Sequence, residues 1–218
     1  YNISYELFSD KTKINKTLIV NQSDTDFYSS IDGNIVEKNN EDSSKTDYSE
    51  LMDQINNFTF KGGNVIFLKI PGKTRKRIGP NLTFVADGVD YLPSKPVKNI
   101  SQGLWDGILH INSKHPFFNN LPVNVNMSGV YENIAPTVSL RNFEGKNIVQ
   151  TVAFDRIPNG NILKRNYIGS GEVWSGADLS IVKYGKGKMV LSTLKLLENL
   201  NYDPVSEIVL LNMINYFK

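Results

Sequence analysis

One stretch restricts the fold more than any other: an apolar run, a helical pattern, a Gly-Gly pair and a second apolar run. Thr17 to Asn21 (TLIVN) has the length and composition of a buried strand. From Tyr48 to Phe58, the residues Tyr48, Leu51, Met52, Ile55 and Phe58 recur at i, i+3, i+4 and i+7, which gathers them on one helical face. Thr46 or Asp47 is placed to cap its start. Gly62-Gly63 ends this helix, and Asn64 to Ile70 (NVIFLKI) reads as a second buried strand. Two apolar strands joined through a helix feed a parallel sheet by a right-handed crossover. The expected class is α/β.

The remainder is less periodic. The polar stretch Ser23 to Asp47 holds a short edge-strand candidate at Gly33-Asn34-Ile35-Val36. Pro71 to Pro80 reads as a loop carrying the basic cluster Lys73-Thr74-Arg75-Lys76-Arg77. Leu82 to Ala86, Leu104 to Ile111 and Val123 to Tyr131 contain apolar runs without a clear period, while Asn147 to Phe154 reads as a strand. Leu179 to Tyr184, Gly185-Lys186-Gly187 and Lys188 to Thr193 form a hairpin signal, with glycines supplying the positive φ of a tight reversal. The final helix is the clearest element. Asp203 stands at the N-cap, Pro204 at the first helical position and Glu207 in the first turn. Val205, Ile208, Val209, Met213, Ile214 and Phe217 give it a wide apolar face, broadened by Leu210 and Leu211. No internal repeat or composition break divides the chain, so residues 1–218 are read as one domain.

Composition narrows the chemistry. Cysteine is absent, which removes disulfides, thiolate nucleophiles and Cys-based zinc sites together. No apolar run reaches the roughly 20 residues of a membrane span, and Tyr1-Asn2-Ile3-Ser4 does not open a signal peptide. The absence of an initiator Met points to excision from something longer. Residues 1–60 carry 11 acidic and 5 basic side chains (net −6), and the remainder 11 acidic and 19 basic (net +8). The basic residues are scattered and no nucleic-acid recognition signature occurs, so no nucleic-acid partner is expected.

A Gly-x-Ser-x-Gly elbow is missing, leaving His110 and His115 as the imidazole bases available. His115 precedes Pro116 and is read as starting a turn and capping backbone groups. Asp87 with Asp90, and Glu172 with Asp178, are carboxylate pairs of the kind sugar hydrolysis uses, but their spacing in sequence reads as solvated acidic groups. Asp24-x-Asp26 lacks the rest of a calcium loop, and no dinucleotide fingerprint follows a strand. No catalytic residue, metal or cofactor is assigned. The binding candidates are Trp105 and Trp174, whose rings could stack on sugars, and Lys73, Arg75 and Arg77, which could meet acidic groups.

Several phrases in the second half resemble a known family. His115-Pro116-Phe117-Phe118-Asn119-Asn120-Leu121-Pro122 is similar to a His-Pro-Leu-Phe-x-Gly-Leu-Pro phrase in C-terminal domains of large glycoside hydrolase family 2 proteins, the β-galactosidase and β-glucuronidase relatives of polysaccharide-degrading bacteria. Met127 to Pro136 (MSGVYENIAP) resembles the stretch that follows it. Glu172 to Leu179 (EVWSGADL) resembles a Trp-x-Gly-x-Asp-Leu phrase, Gly185 to Leu196 the terminal strand, and Leu200 to Phe217 the terminal helix. The likeness spans residues 110–217, about half the chain.

The resemblance implies a class I glutamine amidotransferase-like fold: a three-layer, flavodoxin-like sandwich with a mostly parallel sheet, helices on both faces and a C-terminal β-hairpin plus helix. Working amidotransferases need a Cys nucleophile, and this chain has none. The family's hydrolytic carboxylates lie in a barrel that nothing here matches, so no catalytic residue transfers. The implied role is a non-catalytic accessory domain, periplasmic or secreted. Its partners would be other domains of the same hydrolase or a second copy in a homo-oligomer. Trp105, Phe117, Phe118 and Trp174, in Gly/Asn-rich loops, are candidate contact residues. A carbohydrate-binding module for neutral or acidic polysaccharide is the alternative, and a free-standing hydrolase using His110 or His115 a third.

Overall fold

The computed structural model describes residues 17–20, 53–68, 73–78, 83–89, 97–101, 107–141, 145–154 and 173–218. Within them lie β1 (Thr17–Val20), helix α1 (53–60), β2 (Asn64–Phe67), β3 (Lys73–Ile78), β4 (Thr83–Val89), β5 (Val97–Ser101) and β6 (Gly107–Asn112). These are followed by β7 (Val138–Arg141), β8 (Lys146–Phe154), β9 (Val173–Tyr184), β10 (Gly187–Ser192) and helix α2 (Pro204–Tyr216). Three 3-10 turns, Pro116–Phe118, Gly129–Ile134 and Leu197–Asn199, occupy the connections. The candidate edge strand at 33–36 and the first turns of the expected helix, residues 48–52, lie outside the described residues.

The class is α/β with one mixed sheet, branched at β9. One edge of β9 pairs with β8, which pairs in turn with β6. Along its other edge, β10 takes the C-terminal half and β7 the N-terminal half, the latter at Leu140 opposite Ala177. From β10 the sheet continues through β2 to β1, and from β7 through β5 and β4 to β3.

Among the described strands, parallel pairing is confined to β1–β2 and β2–β10. Every other described pairing is antiparallel, so the expectation of a mostly parallel sheet is corrected. The apolar runs that announce parallel strands, around residues 17–20, 64–67 and 189–191, are the ones that pair in parallel. The half-polar strands between residues 73 and 154 instead pair as antiparallel neighbours. The basic segment is likewise corrected from loop to strand: Lys73–Ile78 pairs with β4 and stands last in the strand order. A strand with Lys73, Arg75, Lys76 and Arg77 among its six residues shows no apolar period, yet such charge suits a sheet edge by discouraging further pairing.

The strand–helix–strand reading holds. Val65 and Phe67 join a core cluster with Ile55 and Phe58 of α1, Met189 and Leu191 of β10, Leu140 and Ala177. The alternate residues Ile66 and Leu68 join a second cluster with Val190, Leu179, Tyr131 and Phe117, together with Val209 and Met213 of α2. Successive strand residues thus feed two different cores.

Helix α1 ends as the Gly-Gly pair requires. Gly62 has φ +121°, its N–H donates to Thr59 O at 2.9 Å, and Gly63 N–H donates to Phe58 O at 3.0 Å. That is the bond pattern of a Schellman cap. The hairpin of β9 and β10 completes it. Gly185 takes φ +58° at the first of two turn residues, and Lys186 N–H donates to Phe60 O at 3.0 Å, meeting an otherwise orphaned helix carbonyl. Gly187 lies so close that a Cβ there would sit 2.0 Å from Gly63 O and 2.4 Å from Thr59 O.

Helix α2 begins as expected, with Asp203 accepting from Val205 N–H at 2.9 Å and Pro204 in the first turn. Ser206, Val209 and Met213 are buried, and Val205, Leu210, Ile214 and Phe217 pack on their core; Ile208 and Leu211 are partly exposed. Asn212 Nδ2 donates to Phe117 O (3.1 Å) and Asn119 O (3.0 Å), fastening α2 to the Pro116–Phe118 turn. No helix among the described residues is long and apolar enough to cross a membrane.

Candidate functional site

Among the described residues, a dense polar cluster sits where the sheet branches, on four strands at once. His110 of β6 lies opposite Thr151 of β8, and Thr151 opposite Gly176 of β9. Leu140 lies opposite Ala177, so its neighbour Ser139 falls on the same face as Thr151 and His110. Asp178 reaches that cluster through an irregularity. Val149 pairs with Leu179 and Gln150 with Ala177, leaving Asp178 as an extra, unpaired residue in β9. Such a bulge re-aims the side chain it carries. The Asp178 carbonyl is still satisfied, accepting from Thr193 N–H at 2.8 Å.

The Asp178 carboxylate is completely buried and collects every donor in reach. Ser139 Oγ donates to Oδ1 at 2.6 Å, and Thr151 Oγ1 donates to Oδ2. His110 Nδ1 stands 2.9 Å from Oδ2; with a carboxylate facing it, Nδ1 carries the proton. The two hydroxyls are themselves 2.7 Å apart. A buried carboxylate needs this compensation, because charge removed from water is costly unless hydrogen bonds replace its hydration.

Chemically the arrangement differs from a nucleophilic triad. There, one imidazole nitrogen is held by the acid and the other takes the proton of the attacking hydroxyl. Here both hydroxyls donate toward the acid, and His110 Nε2 meets no hydroxyl among the described residues. His110 retains slight exposure, with 11% of its side chain accessible.

The second imidazole has a structural post. His115 is the N-cap of the Pro116–Phe118 turn, its Nδ1 accepting from Phe117 N–H at 3.3 Å. Its ring packs against Phe117 (4.4 Å between centroids) and Tyr216 (5.2 Å). Burial, aided by the positive charge of Lys146, lowers its pKa to about 4 and keeps it neutral at pH 7. Burial also raises the pKa of Tyr131, a hydrogen bond from Asn112 partly opposing it; its hydroxyl donates to Pro122 O.

The candidates named from sequence scatter. Trp105 lies outside the described residues, as do Asp90 and Glu172. Trp174 is on β9 opposite Ala153, and Lys73, Arg75 and Arg77 are on β3; their side chains are outside the description. Arg75 and Arg77, paired with Ala86 and Phe84, share one face of β3, while an irregularity between Lys73 and Arg75 interrupts the alternation. Phe117 and Phe118, expected on a contact surface, are buried in the core instead. Two adjacent aromatics beside a proline read as a loop tip, but the 3-10 turn folds both inward under α2. Sequence reading considered His110 and Asp178 separately and missed their pairing, since nothing local joins residues on β6 and β9. Among the described residues no group of three or more His, Asp and Glu could hold a metal ion. No protein-family model matches the chain, and no curated protein matches it either.

Proposed function

We propose that the chain is a non-catalytic packing domain of an extracytoplasmic, polysaccharide-degrading glycoside hydrolase of family 2 type, built as a three-layer α/β sandwich with α1 and α2 on opposite faces of its mixed sheet. The observation that carries the reading is the closed polar cluster at Asp178. Its acid is sealed from solvent and both neighbouring hydroxyls are committed to it, so no glycosidic bond can reach the carboxylate. General acid–base cleavage of a sugar needs two accessible carboxyl groups with substrate between them. A cluster of this kind fixes strands; it does not turn over substrate.

The two core clusters support a domain that packs. Each joins strand residues to one helix, so the outer sides of α1 and α2 are where neighbouring domains or a second copy would pack. The test is made on the longer hydrolase polypeptide that this reading requires. Deleting residues 1–218 should change its oligomeric size or thermal stability, while the excised chain hydrolyses neither aryl β-galactosides nor aryl β-glucuronides. A polypeptide with unchanged assembly, stability and activity after deletion, or an excised chain that hydrolyses either substrate, would overturn the proposal.

A further inference from the structure

Three exposed lysines lie at the margin of the sheet face that α2 covers, beside the C-terminus of that helix. Lys183 of β9 and Lys188 of β10 lie directly opposite each other. Lys146 of β8 lies opposite Ile181, two residues from Lys183 and therefore on the same face. All three are exposed, and among the described residues none forms an ion pair. Residues 208–218, which close α2 over this face, contain no Asp or Glu and add Lys218. The imidazole that Lys146 approaches is neutral at pH 7 and offers no compensating charge.

Like charges directly opposite in a sheet destabilise it. One of the three has a local reason to be there: Lys188 Nζ lies 5.3 Å from the Tyr216 ring centroid, where the ring and the helix terminus both favour a cation. Among the described residues, Lys146 and Lys183 gain nothing comparable. We infer that Lys146, Lys183 and Lys188 form a binding face for an acidic polysaccharide, whose carboxylates or sulfates would lie across β8, β9 and β10.

The chemistry of this face favours such a ligand over a protein partner or single-stranded nucleic acid. Lysine is depleted from protein–protein interfaces, which disfavours a protein partner over three adjacent ammonium groups. Single-stranded nucleic acid needs an open aromatic platform. The Tyr216 ring is already occupied by Lys188, His115, Phe117 and Phe217. What remains is an array of flexible cations, with Lys183 and Lys188 one strand spacing (about 4.8 Å) apart and Lys146 displaced two residues along the neighbouring strand. This face is distinct from β3, and it stands or falls independently of the packing role above.

The 218-residue chain is tested by affinity electrophoresis and calorimetry against heparin, polygalacturonate, neutral starch, duplex DNA and poly-glutamate at low salt. Heparin or polygalacturonate should bind and starch should not. Each Lys→Ser change should weaken binding roughly fivefold, and K146S/K183S/K188S should abolish it. The triple variant should melt close to the parent, since relief of the Lys183–Lys188 repulsion offsets the lost Lys188–Tyr216 contact; a circular dichroism melt separates lost binding from lost folding. K73S/R75S/R77S should bind as the parent does. Failure to bind either acidic polysaccharide, equal binding of DNA or poly-glutamate, or loss of binding in the β3 variant instead overturns the inference.

Discussion

Asp178 shows how much a single side chain can hold together when the backbone presents it out of register. Its carboxylate ties β6, β7 and β8 to β9 through His110, Ser139 and Thr151. Asp178→Asn replaces an acceptor oxygen with a donor facing other donors, and should cost about 2–4 kcal/mol in urea unfolding. A loss under 0.5 kcal/mol would show that the cluster does not fasten the branch. His115 gives the residue scale a pH signature. Its folded pKa, about 4, lies below the ordinary 6.5, so the unfolded chain binds the proton more readily between those values. The stability it contributes is full above pH 6.5 and falls as pH drops toward 4, by at most about 3 kcal/mol. Urea midpoints across that window should decline, and less steeply in His115→Asn, which keeps a capping acceptor. Removing the nearby cation in Lys146→Ser should raise the His115 pKa, readable by NMR titration.

Among the elements, the glycine-rich turns repay a close look because two of them meet. The pair Gly62-Gly63 announced the end of a helix, and Gly185-Lys186-Gly187 announced a hairpin; both readings hold. What no local pattern could announce is that the hairpin tip caps the helix, since more than a hundred residues separate them in the sequence. Gly187→Ala would drive a methyl group into the Gly63 and Thr59 carbonyls, which are backbone and cannot swing aside. It should cost more than about 2 kcal/mol by denaturant titration; a near-neutral result would mean that α1 and the hairpin separate easily. At α2, Asp203→Ala should cost about 1 kcal/mol through the lost cap. Asp203→Ser should recover most of it, and also remove Oδ2, which is buried without a hydrogen-bond partner among the described residues. This helix was legible because cap, proline and apolar spacing agree within a dozen residues. Strand β3 was not, because its basic side chains carry no record of which face is inward.

For the whole molecule, the class was legible from residues 17–70, where apolar strands and an amphipathic helix leave few alternatives. The sheet's branching was not, because pairing register and the Asp178 bulge are decided by partners far along the chain. Strand β2 lies between two parallel neighbours and has Val65, Ile66 and Phe67 fully buried. Its amides should exchange slowest in deuterium, while those of β6, with Leu109 and Ile111 exposed, should exchange sooner. The reverse order would move the stable centre elsewhere. The β1–β2–β10 arrangement also carries a mechanical consequence. Thr17 and Lys188 both lie level with Asn64, and Val20 and Leu191 level with Phe67, so the start of β1 and the end of β10 point in opposite directions. Tension applied between those two points would load the ladders on either side of β2 in shear, all their bonds together, instead of peeling them one by one. A chain stretched across this region would be gripped as by a clamp.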